Sequence, residues 1–192
     1  MSSEELVKKI LRFRPYFGEN GGATFSGGEP LLQSEFLHEV AILLKREKIS
    51  YVLDTSGHID LSDEVCFLLD HAQEVLLDLK FWDDSSYLYY TGKGMQKTLN
   101  VLKYLDDIGK KTVIRTVVIP DVNDSEKHIS AYVDLFRQYS CVTKYELLPF
   151  HTMGFFKYER LNLKNPFAGK KPLSKEKLAT LQKFADQIRK NG

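Results

Sequence analysis

The pattern of hydrophobic and polar positions alternates between two periods along this chain. Short apolar runs, rich in β-branched and large aliphatic side chains, predict buried strands. Longer segments with an apolar residue about once per helical turn predict amphipathic helices. The predicted strands cover residues 22–25, 49–53, 74–79, 112–119 and 144–148.

Predicted helices lie between the predicted strands. They cover residues 3–14, residues 31–48, a segment capped by Ser62, residues 95–108, a segment capped by Asp124 or Ser125, and a segment that begins at Ser174. Residues 83–94 and 153–172 are irregular in pattern and are assigned no element. Helices and strands therefore alternate, with connections too long for hairpins. This alternation predicts a single α/β domain over residues 1–192, with parallel strands joined by right-handed crossovers.

Composition and charge exclude several classes of function. The chain has 192 residues, with 27 basic and 26 acidic side chains, so its formal charge of +1 gives no electrostatic case for nucleic acid. The first residues are polar, unlike a signal peptide, and no apolar run reaches the roughly 18 residues of a membrane span. The two cysteines lie far apart in the sequence, which argues against a disulfide framework. We expect a cytoplasmic protein that binds neither nucleic acid nor membrane.

Polar residues stand where the predicted strands end. Ligands of parallel α/β sheets and barrels bind at these carboxyl ends. A buried strand has no structural reason to carry a charge, so each charge there needs a partner. The candidate binding residues, in chain order, are Ser26, Gly27, Gly28, Glu29, Asp54, Thr55, Asp78, Lys80, Arg115 and His151.

These residue types suit a small zwitterionic ligand. Two adjacent glycines allow the backbone to approach a ligand, and the helix that follows them favours a carboxylate. Lys80 also suits a carboxylate, whereas Asp54, Asp78 or Glu29 suits an ammonium group or a small cation. Two alternatives stay open at this point. A Gly-Gly-Glu sequence is typical of a tight turn between strand and helix, and a single charge can belong to a core ion pair. His151 could bind a nucleoside or be structural.

Four segments, in this order, resemble a known family. They are FSGGEPLLQ at residues 25–33, LDTSG at 53–57, LDLK at 77–80 and LLPFH at 147–151. The chain resembles the glycyl-radical-enzyme activases of the radical S-adenosylmethionine (radical SAM) superfamily. The similarity runs in unbroken order from about residue 4 to the last predicted helix. Gly-Gly-Glu alone is a weak signal, but four motifs in order at strand ends are a strong one.

The resemblance implies a fold and an activity. The fold is a partial (β/α) barrel, here with five recognisable parallel strands, which lacks the first strand of the family's (β/α)6 barrel. Such activases bind S-adenosylmethionine to a [4Fe–4S] cluster and cleave it reductively to a 5′-deoxyadenosyl radical. That radical removes a hydrogen atom from a glycine of a partner protein. The partner is a glycyl radical enzyme, such as a protein similar to pyruvate formate-lyase. A flavodoxin or ferredoxin-type protein would supply the electron.

The resemblance also implies roles for the candidate residues. The loop at residues 26–29 would hold the methionyl amine of S-adenosylmethionine. Asp54 and Asp78 would help to bind that amine or a monovalent cation nearby. Lys80 would bind the methionyl carboxylate. Arg115 and His151 would reach the carboxylate or the nucleoside end.

The cluster-binding cysteines of the family are missing from this sequence. They are spaced Cys-x3-Cys-x2-Cys upstream of the glycine motif, but none of the 26 residues before Gly27 is a cysteine. Because thiolates hold such clusters, Cys66 and Cys141 cannot replace them. We favour a shortened chain, inactive by itself, whose intact reading frame encodes the motif. A natural degenerate copy is expected to have lost pocket residues as well.

Two other functions stay open from the sequence. One is a non-catalytic module that binds S-adenosylmethionine or another nucleoside. The other is a phosphate-binding barrel enzyme, because a glycine loop with Lys80 also suits phosphate. Calorimetric titration with S-adenosylmethionine and with a sugar phosphate would separate these functions. Residues 153–172 are either a docking surface for the partner or a simple cover over the barrel.

Overall fold

Five strands form one sheet, in the order β1-β2-β3-β4-β5, in a computed structural model that describes residues 1–19 and 21–190. The strands are β1 (Gly22–Phe25), β2 (Ser50–Thr55), β3 (Glu74–Asp78), β4 (Thr112–Val118) and β5 (Val142–Pro149). Each overlaps a predicted strand. Asp54 and Thr55, which were expected to follow the second strand, are its last residues.

All neighbouring strands run parallel. β1 pairs with β2, and β2 pairs with β3, in parallel register. Between β3 and β4, the Val75 N–H donates to Lys111 and the Leu79 N–H donates to Arg115, so both strands advance in the same direction. Between β4 and β5, the Thr112 N–H donates to Cys141 and the Phe150 N–H donates to Val118, so these two strands also run in the same direction. The predicted five parallel strands of a partial (β/α) barrel are confirmed.

Eight α-helices accompany the strands in the described residues. They are α1 (Ser3–Leu11), α2 (Ser34–Arg46), α3 (Asp63–His71), α4 (Asp84–Thr91), α5 (Gln96–Asp107), α6 (Glu126–Phe136), α7 (Phe155–Arg160) and α8 (Lys175–Lys190). Ser62 and Ser125 cap α3 and α6 as predicted, each accepting an N–H of the first turn. Within residues 1–19 and 21–190, no helix combines the length and apolar character that crossing a membrane requires.

Two helices lie in segments that were expected to be irregular. α4 begins at its cap Asp83 and ends at Gly92, whose φ of 70° is the left-handed conformation that glycine favours. Its apolar residues show no helical stripe, because Tyr87 is buried while Leu88 and Tyr89 are exposed. The second is the short α7. The assignment as irregular was therefore wrong for residues 84–91 and 155–160, because helices without an apolar stripe leave no periodic signal, whereas residues 161–172 form no helix or strand, as predicted.

The first two predicted helices also begin or end differently from expectation. α1 stops at Leu11, and Pro15 lies in a separate 3-10 turn, Arg14–Tyr16. Before α2, Pro30–Gln33 form another 3-10 turn, capped by the Glu29 side chain. This cap already gives Glu29 a structural task at the end of β1.

The strands bury one face and leave the other half-buried. In β2, Tyr51, Leu53 and Thr55 are buried, whereas Val52 and Asp54 between them are half-buried. The same alternation is present in β3. The buried Tyr51 hydroxyl donates to the carbonyl of Leu68 on α3, so the buried face of β2 packs against this helix. Because alternate residues of a strand point to opposite faces, the candidate site residue Asp54 lies on the other face.

The described residues form two compact units. Unit 1 contains Met1–Asp78, Gln96–Ile114 and Tyr139–Lys144. Unit 2 contains Leu79–Met95, Arg115–Gln138 and the chain from Tyr145 onward. The expected single domain over residues 1–192 stays a prediction.

Candidate functional site

In unit 1, the loop after β1 exposes its main chain. Ser26, Gly27 and Gly28 are all exposed. Gly27 has a φ of +140°, which other residues rarely adopt. A Cβ atom placed on Gly27 or on Gly28 would meet nothing within 4 Å, so the space above both residues is open. In the loop of residues 26–29 (the β1 loop), the main chain of the exposed residues 26–28 is therefore accessible to a ligand.

Three candidate residues of unit 1 lie on the half-buried face at the carboxyl ends of adjacent strands. The register that pairs Phe25 with Leu53 puts the next residues, Ser26 and Asp54, at the same level. Asp78 lies on the same face as Asp54, because β2 and β3 are paired in register and alternate residues share a face. Unit 1 therefore brings together the β1 loop and two carboxylates, as the sequence predicted for this part of the site.

The carboxylate of Glu29 is held by protein groups. Its Oε1 accepts hydrogen bonds from the Leu31 N–H at 3.2 Å and from the Thr55 hydroxyl at 2.6 Å. Its Oε2 accepts from the Ser56 N–H at 2.9 Å and from the Ser56 hydroxyl at 2.6 Å. A carboxylate has about four lone-pair sites, and these four bonds use them. We had expected this side chain to be a ligand acceptor, and the structure shows it bonded to its own chain.

The residues that follow β2 are fixed by the same set of bonds. The buried Thr55 hydroxyl accepts from the Gly57 N–H at 2.9 Å while it donates to Glu29. The carbonyl of Ser56 accepts from the hydroxyl of Thr98, a fully buried residue of α5, at 2.9 Å. We call Glu29, Thr55, Ser56 and Thr98 the Glu29 network. It joins the β1 loop, residues 56–58 (the β2 loop) and α5.

The sequence did not identify two members of this network. Ser56 stood inside a quoted motif but was not among the candidate residues, and Thr98 was assigned only to a helix. A signal for Ser56 was present, because hydroxyl residues directly after a strand often bond to a neighbouring loop. Thr98 gave no local signal, because its partner lies 42 residues away.

In unit 2, two tyrosines hold the main chain of Lys80. The Lys80 N–H donates to the Tyr87 hydroxyl at 3.1 Å, and the Lys80 carbonyl accepts from the Tyr132 hydroxyl at 2.9 Å. Burial raises the pKa of Tyr132, which keeps its hydroxyl protonated and able to donate. These bonds fix the point from which the Lys80 side chain extends.

Lys80 and His151 line one cavity of about 590 Å³. Its walls are mostly apolar and include six aromatic residues, Phe81, Tyr90, Phe150, Phe155, Tyr158 and Phe167. The Tyr90 ring is stacked on Phe81 at 4.7 Å and on Phe167 at 5.6 Å. Small-molecule sites typically have volumes of about 300–1,000 Å³ with apolar walls and few polar groups. The cavity therefore has the size and the chemistry for an aromatic group such as a nucleoside base.

Sequence reasoning found two polar residues of this cavity, Lys80 and His151, and missed its aromatic walls and two further polar residues, Thr91 and Lys157. The wall residues come from separate segments, including the two that were assigned no element. Arg115, another candidate residue, is half-buried in β4, and its carbonyl accepts from the Leu79 N–H. It is not among the residues that line the cavity. The assignment of the candidate residues of both units to a single ligand stays a prediction.

Comparison with known proteins identifies the family. Residues 1–133 match the model of the radical SAM superfamily. A pyruvate formate-lyase-activating enzyme of Clostridium pasteurianum is 41% identical over 189 residues, which are 98% of this chain and 79% of the relative. The enzyme of the same name from Streptococcus mutans is 31% identical, over 94% of this chain and 70% of the relative. The chain belongs to the pyruvate formate-lyase-activating enzymes of the radical SAM superfamily. The resemblance is confirmed.

Solved radical SAM structures share the fold. A domain of a pyruvate-formate lyase-activating enzyme from Bacteroides vulgatus matches with a TM-score of 0.69, at 21% identity, over 86% of this chain and 93% of the domain. Streptococcus suis SuiB bound to S-adenosylmethionine matches with a TM-score of 0.63, at 17% identity, over 77% of this chain and 33% of SuiB. At these identities the similarity establishes the fold alone.

A radical SAM protein implies a [4Fe–4S] cluster, and the residues of this chain do not fit one. Within residues 1–19 and 21–190, no group of three or more His, Cys, Asp or Glu side chains is arranged to hold a metal ion. Cys66 is half-buried on α3. Cys141 is buried, and burial raises the pKa of its thiol to about 11, which disfavours the thiolate that a cluster needs. Cys66 and Cys141 therefore do not form a site for such a cluster.

S-adenosylmethionine, the other group that the family implies, fits the residues present. The open space over Gly27 and Gly28 leaves the β1 loop main chain free to meet the methionyl end. Asp54, on the neighbouring strand, adds negative charge beside that loop. The aromatic cavity of unit 2 offers stacking surfaces of a kind that an adenine ring requires. Within its own unit, each of these features suits a chemical group that S-adenosylmethionine contains.

Proposed function

We propose that this chain provides the S-adenosylmethionine-binding part of a pyruvate formate-lyase-activating enzyme. The observation that carries the proposal is the 41% identity to the Clostridium pasteurianum enzyme over 98% of this chain. At this identity and coverage, a shared activity is supported as well as a shared fold. The activity of the family is the installation of a glycyl radical on a partner enzyme.

In unit 1, we assign the methionyl amine to the β1 loop and the carboxylates beside it. An ammonium group binds carbonyl oxygens and carboxylates. The exposed main chain of residues 26–28 supplies the first kind of acceptor. Asp54 and Asp78 supply the second, or bind a monovalent cation that completes the site. Thr55 contributes through Glu29 and the β2 loop.

In unit 2, we assign the carboxylate to Lys80 and the nucleoside to the aromatic cavity. Lys80 lines this cavity, and a lysine ammonium can donate to a carboxylate. His151 is exposed at the same cavity, where its ring can donate a hydrogen bond or stack. Arg115 keeps its expected assignment to the carboxylate or nucleoside end.

The chemistry belongs to the cofactor, and the residues of this chain bind and orient it. Once bound, S-adenosylmethionine supplies a sulfonium carbon–sulfur bond whose one-electron reduction starts the radical reaction. The fixed β1 and β2 loops and the Lys80 main chain, held by two tyrosines, keep the binding groups in place. Such preorganisation lowers the entropic cost of bringing the reacting groups together.

The partner that fits this family is a glycyl radical enzyme of the pyruvate formate-lyase type. The names of both curated relatives support this choice. A flavodoxin or ferredoxin-type reductant is the electron donor that we expect with it. The exposed apolar side chains of residues 153–163 form the surface of unit 2 that we expect to contact the partner. They include Met153, Phe156, Leu161 and Leu163.

A binding titration tests the proposal. The full chain is titrated by NMR and calorimetry with S-adenosylmethionine, 5′-methylthioadenosine and ribose 5-phosphate. We expect one-to-one binding of S-adenosylmethionine, weaker binding of 5′-methylthioadenosine, which lacks the amino-acid end, and no binding of the sugar phosphate. Binding of ribose 5-phosphate without S-adenosylmethionine would overturn the proposal in favour of a phosphate-binding enzyme.

A substitution at Lys80 makes the test specific. Lys80→Met removes the ammonium but keeps most of the apolar stem. We expect it to weaken S-adenosylmethionine about tenfold or more, because a hydrogen bond to a charged group is lost. Its effect on 5′-methylthioadenosine should be small. Equal losses for both ligands would contradict the assignment of Lys80 to the carboxylate.

A further inference from the structure

We infer that Glu29 is a positioning residue, whose carboxylate fixes the β1 loop against the β2 loop and does not contact the ligand. This inference rests on the proposed function for the identity of the ligand. The hydrogen bonds that carry it join residues of the chain itself. It assigns the binding of an ammonium group at this loop to the main chain and to Asp54, and gives Glu29 a different task.

The first argument is the saturation of the carboxylate. Each oxygen of Glu29 accepts two hydrogen bonds, and all four donors belong to the protein. An ammonium group that approached either oxygen would have to displace one of them. Two of the donors, Leu31 and Ser56, are main-chain N–H groups that cannot rotate away from the carboxylate as a hydroxyl can.

The second argument is the origin of the donors. One donor comes from the turn that follows Glu29 itself, and the other three come from the end of β2 and the residue after it. The carboxylate therefore joins two loops that are 27 residues apart in sequence. Charge-assisted hydrogen bonds of this kind are shorter and about twice as strong as neutral ones.

The third argument is the support behind the β2 loop. Thr98, which is fully buried on α5, donates to the carbonyl of Ser56 at 2.9 Å. The Gly57 N–H is held by the Thr55 hydroxyl. The β2 loop is thus tied to a helix on one side and to Glu29 on the other. Fixing the β1 loop against it holds the main chain of residues 26–28 beside Asp54, where the ligand amine is expected.

A double-mutant cycle tests this inference in the full chain. The dissociation constant for S-adenosylmethionine is measured by NMR titration for Glu29→Gln, Ser56→Ala and the double variant. We expect each single change to weaken binding about tenfold, and the double change to weaken it hardly further, because both remove the same support. If Glu29 bound the ammonium directly, Ser56→Ala would leave affinity unchanged or improve it, and that result would overturn the inference.

Conservative and remote variants are the matched controls. Ser56→Thr and Thr55→Ser keep the hydroxyl donors, so both should bind S-adenosylmethionine within about twofold of the unchanged chain, as expected when the hydrogen bond is retained. Thr55→Val removes the second hydroxyl donor and should reproduce the loss. Glu35→Gln changes an exposed glutamate in the first turn of α2 and should have no effect.

Amide hydrogen exchange provides a readout that needs no ligand. In Glu29→Gln, the N–H groups of Leu31 and Ser56 lose a charged acceptor, and we expect their exchange to be about tenfold faster or more. Other amides of β2 should exchange as before. Unchanged exchange at both positions in a folded variant would overturn the inference. If Glu29→Gln does not fold, exchange of the Leu31 N–H is measured in Thr55→Val and Ser56→Ala, which keep this bond but remove one hydroxyl donor that fixes the same carboxylate, and faster exchange is again expected.

A failure of the proposed function and a failure of the inference about Glu29 give different results. If the unchanged chain binds no S-adenosylmethionine, the proposed function fails, while hydrogen exchange still decides the role of Glu29. If the unchanged chain binds and the losses in the cycle are additive, the inference fails and the proposed function stands.

Discussion

Glycines at the strand ends have different tasks, although the sequence presents them alike. Gly27 and Gly28 have open space above them, so the absence of a side chain there serves access to the main chain. Gly57 has a φ of +65°, and a Cβ on it would lie 2.7 Å from the Leu77 side chain, which is fully buried. At Gly57 the glycine is therefore a requirement of the backbone conformation and of packing in the core.

Gly57→Ala should destabilise the chain by about 1–2 kcal/mol, which is the cost of a left-handed conformation for an ordinary residue. The displacement of Leu77 adds to this cost. Urea unfolding at neutral pH measures the change. Gly154→Ala is the control, because that glycine has a φ of −88° and no atom within 4 Å of an added Cβ. Equal stability of Gly57→Ala and Gly154→Ala would contradict the packing argument.

At the scale of elements, buried polar side chains join the end of one strand to the next helix. Asn123 is fully buried after β4. Its Oδ1 accepts from the Ile119 N–H, and its amide donates to the Val117 carbonyl and the Tyr132 hydroxyl. Tyr132, on α6, in turn donates to the Lys80 carbonyl. The stability of unit 2 and the position of Lys80 therefore depend on the same side chain.

Asn123→Ala should destabilise unit 2 by about 2–4 kcal/mol, because it leaves buried backbone groups without partners. Unfolding in urea, followed by tyrosine and tryptophan fluorescence, measures the loss. Asn100→Ala, on the exposed face of α5, is the matched control and should change stability by less than about 0.5 kcal/mol. A similarly small change in Asn123→Ala would show that the hydrogen bonds of the Asn123 side chain add little to stability.

A carboxylate joins α5 to the start of β5 in unit 1. The Cys141 N–H and the Ser140 hydroxyl both donate to Asp106. The hydrogen bond from the Cys141 N–H is the main reason why the pKa of Asp106 lies below its ordinary value. Because the pKa is lower in the folded chain, this group contributes stability at neutral pH, and the contribution is lost as pH falls through the folded pKa.

Asp106→Asn should therefore be less stable than the unchanged chain at pH 7, and the difference should shrink below about pH 4, where carboxylates become protonated. Urea midpoints for the two chains at pH 7, 5 and 3 measure this. Other carboxylates titrate in the same range, so only the difference between the two chains reports on Asp106. A difference that is constant down to pH 3 would contradict the assignment.

At the scale of the whole molecule, this chain lacks one feature that its family implies, the cysteines that bind an iron–sulfur cluster. The chain belongs to the radical SAM superfamily, yet its sequence has only two cysteines, Cys66 and Cys141. Neither lies in a three-cysteine motif. A [4Fe–4S] cluster bound by residues of this chain is therefore not expected.

Anaerobic reconstitution with ferrous iron and sulfide tests this expectation. After desalting, the chain should hold far fewer than the ~4 irons of a [4Fe–4S] protein and should lack the cluster's visible absorbance. A protein that carries Cys-x3-Cys-x2-Cys, treated in the same way, is the positive control. Stoichiometric iron with a cluster spectrum in this chain would show that other residues can supply the ligands.

The sequence determined the order of elements, the parallel sheet and the family. These depend on local periodicity, on strand-end glycines and on short motifs, all of which are contained in neighbouring residues. The sequence also placed Asp54 and Asp78 correctly at the ends of adjacent strands. α4 and α7 could not be predicted, because their burial depends on contacts and not on a local stripe.

Only the tertiary structure decided what each polar side chain contacts. Glu29 looks like a ligand acceptor in its motif, but parallel pairing of β1 with β2 brings Thr55 and Ser56 to its carboxylate. The aromatic walls around Lys80 and His151 likewise come from segments far apart in the chain. The physical reason is that secondary structure follows from neighbours in sequence, whereas a hydrogen-bond partner or a cavity wall is set by strand register and packing.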